Sequence, residues 1–477
     1  MKQPNIIMFF CDELRKDALS CYSQVSPVID TPNIDRISNH GLTFDECYCA
    51  SPVCVPSRTS IMTGLLPEET GVYHNEAMFP DFEMERLATL TSVLEQNDYL
   101  TVNFGKTHLA HGVQGFMLDN PDGSQQSFTK KIDQAISPKG KFQSIIGGID
   151  ASKEYLPERV TQNALAWLKN YSEEQPYFLR VSYLQPHTPV IVKKGFEDHY
   201  ANDPFKLEEA DKDQLQLLSA FEQRFSEIIE LGTLSEEKIT EMRKYYFSLV
   251  AWIDQQIGLI MDYLEENDQL ENTIIVFSSD HGANKGEHGW LGKQIFHAHS
   301  HAIPLIISYP EKIKKGSRTN HLTNTIDFAP ILFNLANIAE IPAQFKGINT
   351  IEEDQEYIYS SIGFGQTTSR AFPLKGYGTY TNDSGWPRRA CIRTKDYRLD
   401  MNCLIDGCKP VDEAQEDVFF VDCKKCPQEN RNMKDDKEYH EVVATLKQKL
   451  SEHLNSMKTS DPQMLAKIYT QLQKNCL

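Results

Sequence analysis

Short apolar runs that stop abruptly at polar residues constrain this 477-residue chain more than any other feature. Asn5–Phe10, Tyr99–Phe104, Tyr177–Tyr183, Thr273–Phe277 and Ile303–Ile307 are each too short for a core helix and too continuous for a half-exposed strand. Runs of this kind suit strands buried on both faces. Between them lie helix-like stretches: a capped start at Thr31–Ile37, then Thr91–Asn97, Arg159–Leu168 and Tyr245–Leu264. Strands alternating with helices predict an α/β fold, a mainly parallel sheet covered on both faces. Residues 111–150, rich in Gly, Ser, Asp and Pro, read as an insertion or surface loop, and the charged stretch 196–240 as a helical outer layer or lid. The texture changes near residue 355. Glu356–Ile362 and Ala390–Met401 read as shorter, alternating strands and Asp435–His453 as a closing helix. The expected organisation is a large α/β domain over residues 1–354 and a smaller α+β domain over 355–477.

Four of the runs end in groups that carry chemistry: Asp12 and Glu13, Lys106 and His108, His187, and Asp280 and His281. In open parallel sheets the ligand site lies beyond the carboxyl ends of the strands, so these side chains are candidates for one site. Asp12, Glu13 and Asp280 offer oxygen donors to a hard divalent cation such as calcium. Lys106, His108 and His187 suit the surroundings of an anion. A further stretch, Ser51-Pro52-Val53-Cys54-Val55-Pro56-Ser57-Arg58-Thr59-Ser60, precedes an apolar helical run. Proline in a first helical turn loses no hydrogen bond, so Pro56 fits a helix start there. First-turn N–H groups and Arg58 would then face an anion, with Cys54 at the point of attack. By itself Cys54 reads as a buried free thiol before a helix, which is what most lone cysteines are.

Charge narrows the partners. A formal net charge of −19 argues against nucleic acid and against an anionic membrane surface as general partners. No run of about 20 apolar residues is present. Asp12 and Glu13 follow the first apolar run too closely for a signal peptide, so the expected location is cytoplasmic. Free thiols are then the default for the 11 cysteines. Cys403, Cys408, Cys423 and Cys426 have spacings that suit zinc or disulfides as well as plain thiols.

Cys54-Val55-Pro56-Ser57-Arg58 resembles the CxPSR signature of type I sulfatases. Asp12, Thr31-Pro32-Asn33-Ile34-Asp35, Gly105-Lys106-Thr107-His108, Pro186-His187-Thr188-Pro189, Asp280-His281-Gly282, Gly286-Glu287-His288-Gly289, Lys293, Ile326–Pro330 and Arg393–Arg398 resemble segments of that family, in the same order. The resemblance implies an alkaline-phosphatase-like fold and hydrolysis of sulfate esters, with sulfated carbohydrate as the expected substrate class. It implies that a modifying enzyme oxidises Cys54 to formylglycine (3-oxoalanine). Asp12, Glu13, Asp280 and His281, with the modified Cys54, would ligate calcium. Arg58 would hold the formylglycine, Lys106 and Lys293 would bind sulfate oxygens, and His108 and His187 would move protons. His74, Asn75, His299, His301, Arg388 and Arg389 are further candidates for substrate contact, beside His297, Arg370 and Lys375. Phosphonate monoester or phosphodiester hydrolysis, and sulfated-glycan binding without catalysis, are the competing expectations.

Overall fold

The computed structural model describes residues 3–22, 29–73, 75, 84–120, 146–149, 156–188, 190–193, 195–196, 199–200, 218–223, 236–287, 290–363, 388–403 and 410–457. His74, Pro189, His288, Gly289, Arg370, Lys375 and Cys408 lie outside the described residues, as do most of the 111–150 and 196–240 stretches.

Each expected apolar run is a strand of one eight-stranded sheet. Its order is Ser317–Thr319, Leu42–Phe44, Leu305–Ser308, Thr273–Ser279, Asn5–Asp12, Tyr177–Pro186, Leu100–Gly105 and Leu118–Asn120. The sheet is mixed. Leu305–Ser308 runs antiparallel to both its neighbours, while the other pairings are parallel. Asn5–Asp12 lies in the middle, and its alternation divides the core. Ile7, Phe9 and Cys11 join one apolar cluster with Tyr246, Val250, Ile253 and Ile257 of the long Glu236–Glu266 helix. Ile6, Met8 and Phe10 join the other with Phe328, Ile331 and Leu332 of the Phe328–Leu335 helix. Burial on both faces is why these strands carry no polar alternation.

Register brings the strand ends together. Cys11 pairs with Ser279 on one side and Tyr183 on the other, Asp12 faces Pro186, and Gly105 faces Ser182. Three neighbouring strands and their flanking partner therefore release the chain at one edge, at Asp12, Lys106, His187 and Asp280.

A second sheet has four antiparallel strands in sequence order: Ile358–Gly363, Arg388–Arg393, Tyr397–Cys403 and Val418–Asp422. The expected strand Ala390–Met401 is a hairpin, folded where the Thr394 N–H donates to the Tyr397 carbonyl at 2.9 Å. The His440–Ser456 helix covers this sheet through Leu446, Leu450 and Leu454. Among the described residues no helix is long and apolar enough to cross a membrane.

Candidate active site

Cys54 opens a helix, Cys54–Thr63, in which every residue is buried. Val53 enters in extended conformation, Pro56 sits in the first turn, and Gly64 closes the helix at φ +66°, a conformation glycine adopts without a Cβ penalty. A helix this deeply packed needs partners for its polar side chains. The Ser57 hydroxyl donates to the Asp280 carbonyl at 2.6 Å. Arg58 donates to Asp12 at 2.9 Å, to Asp280 at 2.7 Å and to the Lys106 carbonyl at 3.1 Å. Arg58 thus ties three strand ends to the helix from below. One expectation is corrected: the first-turn N–H of Val55 is not open to an anion, because Asn75 Oδ1 accepts it at 2.9 Å. Asn75 fixes the helix entrance in this way.

The Cys54 sulfur lies 2.9 Å from Lys293 Nζ, 3.3 Å from His281 Nε2 and 3.8 Å from Asp12 Oδ1. His108 hydrogen-bonds to it from a residue at φ +46°. Burial alone would raise the thiol pKa. Lys106, Lys293, His281 and the His108 bond overcome burial and hold it well below the ordinary value. The same pairing raises Lys293, against the burial that would lower it. Cys54 is therefore distinct from buried Cys11, Cys47 and Cys49, whose thiols burial pushes upward.

Asp12 and Asp280 are both inaccessible to solvent. Burial opposes ionisation of Asp12, but Lys106, His187 and Arg58 hold its carboxyl below the usual range. Asp280 goes the other way, raised by burial and by the charge of Asp12. Two buried carboxylates this close call for positive charge between them. Asp12, Cys54, Asp280 and His281 each offer a donor atom within 4.8 Å of the others. The His281 Nδ1–H donates to the Gly282 carbonyl at 2.8 Å, which turns Nε2 toward this group, 3.3 Å from the Cys54 sulfur and 3.1 Å from Lys293 Nζ. With sulfur at position 54 the donor set suits a soft ion. With oxygen there it becomes the hard, oxygen-rich set that calcium takes. The residues fit a divalent cation.

Glu13, at φ +66°, stands beside this group rather than in it. Its carboxylate takes Lys285 at 2.6 Å and Lys293 at 3.3 Å, with His187 Nε2 at 3.4 Å. Burial would raise its pKa, but these cations bring it down to about 2. Asp12, Glu13 and His187 form a second group of closely spaced donors. In all, three carboxylates (Asp12, Glu13, Asp280) face four cations (Arg58, Lys106, Lys285, Lys293).

Other candidates fall away from the cluster. His301 is fully buried and bonds the Cys49 carbonyl at 3.0 Å and the Ser360 hydroxyl at 2.8 Å. These bonds link it to the strand Ile358–Gly363 from a position closed to solvent. Arg389 is likewise buried, held by Asp400 at 2.6 Å and Asp417 at 2.8 Å. His297 pairs with buried Glu222 at 3.0 Å, and His299 faces Asp17 at 3.7 Å. The three histidines diverge and make no common site. Cys403, Cys423 and Cys426 are free thiols and, among the described residues, belong to no metal-binding group. Arg388 has two buried guanidinium nitrogens, Nε and Nη1, without a hydrogen-bond partner among the described residues.

Some members of the site gave little warning in the sequence. Lys285 lies on the two-residue strand Asn284–Lys285, and nothing in the sequence marks it as Glu13's partner. Arg180 had a signal, a charge inside an apolar run. It donates to Asn103 Oδ1 at 2.8 Å, and Asn103 Nδ2 donates to the Gly105 carbonyl at 3.1 Å. These two residues brace the turn carrying Lys106 and His108.

The family profile described as "Sulfatase" matches residues 4–338, and that described as "N-sulphoglucosamine sulphohydrolase, C-terminal" matches residues 286–456. An N-acetylglucosamine-6-O-sulfatase of Bacteroides thetaiotaomicron is 27% identical, the match covering 97% of this chain and 88% of that protein. An arylsulfatase of Clostridium perfringens is 27% identical over 78% of this chain and 84% of that protein. Among solved structures, BT4656, in complex with its substrate D-glucosamine-2-N,6-O-disulfate, superposes with a TM-score of 0.74 at 25% identity, covering 97% of this chain and 99% of that one. The phosphonate monoester hydrolase of Silicibacter pomeroyi superposes at 0.78 with 19% identity, covering 96% of each chain, a likeness of fold alone. The mixed sheet between helices, with its small antiparallel companion, is the alkaline-phosphatase-like fold.

Proposed function

This chain belongs to the sulfatase family of sulfuric ester hydrolases, and we propose that it releases inorganic sulfate from a sulfated carbohydrate, with Cys54 converted to formylglycine and calcium held by Asp12, Asp280 and His281. The observation that carries this reading is the setting of Cys54, buried among Lys293, His281 and Asp12 at the common edge of the strands. The carbohydrate class rests on the names of the relatives from Bacteroides thetaiotaomicron and of BT4656's bound substrate.

The cation and the hydrated aldehyde of residue 54 would together supply an acidified oxygen nucleophile at neutral pH. Arg58 keeps Asp12 and Asp280 in place and compensates their charge. Lys106 and Lys293 flank residue 54 and are placed to bind the sulfuryl oxygens, where preformed positive charge lowers the barrier most. His187 Nδ1 donates to the Thr188 carbonyl at 2.5 Å, so Nε2 is the nitrogen that faces the site. Protonated there, it is placed to give a proton to the departing alcohol. His108, bonded to residue 54, takes a proton from that side chain when sulfate leaves. Glu13 holds Lys285 and Lys293 in position.

Mass spectrometry of the Cys54 peptide from the native host, followed by sulfate-release assays on sulfated mono- and oligosaccharides, tests this reading. An unmodified Cys54 in active protein would remove the formylglycine step. Higher catalytic efficiency on phosphonate monoesters or phosphodiesters than on sulfate esters would remove the sulfatase assignment.

A further inference from the structure

We propose that Arg388 reads a second oxyanion on the saccharide, a sulfate or carboxylate separate from the ester that is cleaved; this rests on the sulfated-carbohydrate reading above. Arg388 is 8% exposed, and the central carbon of its guanidinium lies over the ring of Tyr73, 3.6 Å from the centroid. Its Nε and Nη1 are buried, yet neither has a hydrogen-bond partner among the described residues. Leaving guanidinium donors buried and unpaired costs free energy; Arg393 and Arg398 also leave Nε unpaired, but they and Arg389 each set a carboxylate against the charge. Arg389 is held by Asp400 and Asp417, Arg393 by Glu429 at 2.8 Å, and Arg398 by Glu429 at 2.7 Å. Among the described residues Arg388 has no carboxylate partner.

Geometry says what it is shaped for. Contact with the Tyr73 ring holds the guanidinium in place while Nε and Nη1 stay without partners among the described residues, and an edge of parallel N–H groups matches an oxyanion bidentately. The position is built around it. Gly363 sits opposite Arg388 in the sheet, and a Cβ there would lie 2.1 Å from Nη1. Only glycine leaves room for the guanidinium. The Gly363 N–H donates to the Tyr73 carbonyl at 3.2 Å, which clamps ring and strand together.

Two links place this guanidinium near the nucleophile. Tyr73 is two residues from Asn75, whose side chain accepts the Val55 N–H beside Cys54. The Ser361 N–H donates to the Ala50 carbonyl, four residues before Cys54. Arg388 is thus joined through Tyr73 and Asn75 to the segment that fixes the helix entrance at Cys54, where a second substituent of the same mono- or disaccharide would lie.

The test uses three sugars: glucosamine 6-sulfate, glucosamine-2-N,6-O-disulfate, and a 6-sulfated disaccharide carrying a uronate. Sulfate release is measured for wild type, Arg388→Ala and Arg388→Lys. Loss of a bidentate charged pair corresponds to about 10–100-fold in affinity. The expected result is a fall of that size in kcat/KM on whichever dianionic sugar is read, expressed in KM. The monosulfated sugar changes far less, and lysine, which lacks the planar fork, gives no rescue. The sugar affected distinguishes sulfate from carboxylate. Equal losses on all three sugars, or none, overturn the proposal. Titration calorimetry in the Cys54→Ala background separates this inference from the catalytic one, because it needs no turnover. There the dianionic sugar binds more tightly than the monosulfated one only while Arg388 is present. Absence of that preference overturns the proposal even if wild type releases sulfate. A wild type that releases none while the preference holds overturns the catalytic reading alone.

Discussion

Cys54 shows how far a single residue's chemistry is set by its neighbours. The chain buries several free cysteines, and burial makes Cys11, Cys47 and Cys49 harder to ionise. Among the described cysteines, Cys54 meets lysines and imidazoles that reverse the effect. Its side chain packs against charged atoms instead of apolar ones, so its loss removes chemistry and little packing. Cys54→Ala is therefore expected to abolish sulfate release, by at least about 10³-fold given the loss of the nucleophile, while its far-UV circular dichroism and melting temperature stay near wild type. A variant that unfolds would show that Cys54 serves the core. Arg58 is the complementary case. Its identity was legible from the Cys54–Arg58 motif, but its task, bridging two buried carboxylates and the Lys106 carbonyl, required the fold.

At the scale of elements, continuous apolar runs located the central strands, because double-sided burial leaves a plain signature. Edge strands left none. Leu42–Phe44 and Ser317–Thr319 are three residues each, and propensity says little over three residues. Nor could composition tell that Leu305–Ser308 runs against its neighbours. Arg389 and His301, expected as substrate contacts, are instead buried and held by the chain. A buried charge and a surface charge look alike until the partner, here Asp400 or the Cys49 carbonyl, is known. The turn after Leu100–Gly105 depends on a close approach. Gly105 has φ +94°, and a Cβ there would lie 2.1 Å from the Ser182 carbonyl oxygen. Gly105→Ala should strain the backbone and push these strands apart just before Lys106. A loss of about 2–4 kcal/mol in urea unfolding is expected, with a drop in kcat larger than any change in KM. Normal turnover in that variant would show that the Lys106 turn tolerates displacement.

Across the whole molecule the two sheets are joined by buried charge as well as by apolar packing. Arg393 donates to the Phe296 carbonyl at 3.1 Å and pairs with Glu429, which also holds Arg398. Arg398 in turn reaches Glu222 at 3.3 Å. Burial opposes ionisation of Glu429, yet Arg393 and Arg398 bring its pKa down to about 2 from 4.5. A carboxyl lowered on folding stabilises the protein fully above its unfolded pKa, and that contribution disappears as the pH falls from 4.5 toward 2. Its size is about 3 kcal/mol at neutral pH. Urea midpoints measured from pH 6 to pH 3 should fall with acid, and Glu429→Gln should flatten that slope while lowering stability at pH 6. An unchanged slope would mean that other carboxylates govern acid unfolding.

The cluster at the strand ends has a different bearing on the whole. Its three carboxylates are already met by four cations supplied by the chain. Small metal domains whose ligands lack such compensation unfold when stripped. Here a chelator should silence sulfate release while the melting temperature falls by no more than the linkage of a single bound ion, a few degrees. Cooperative unfolding on chelation would contradict this. The polypeptide is thus able to reach its shape before any ion arrives. Cation supply would then decide how many finished copies work, and scarcity would leave an intact, silent pool that loading can awaken.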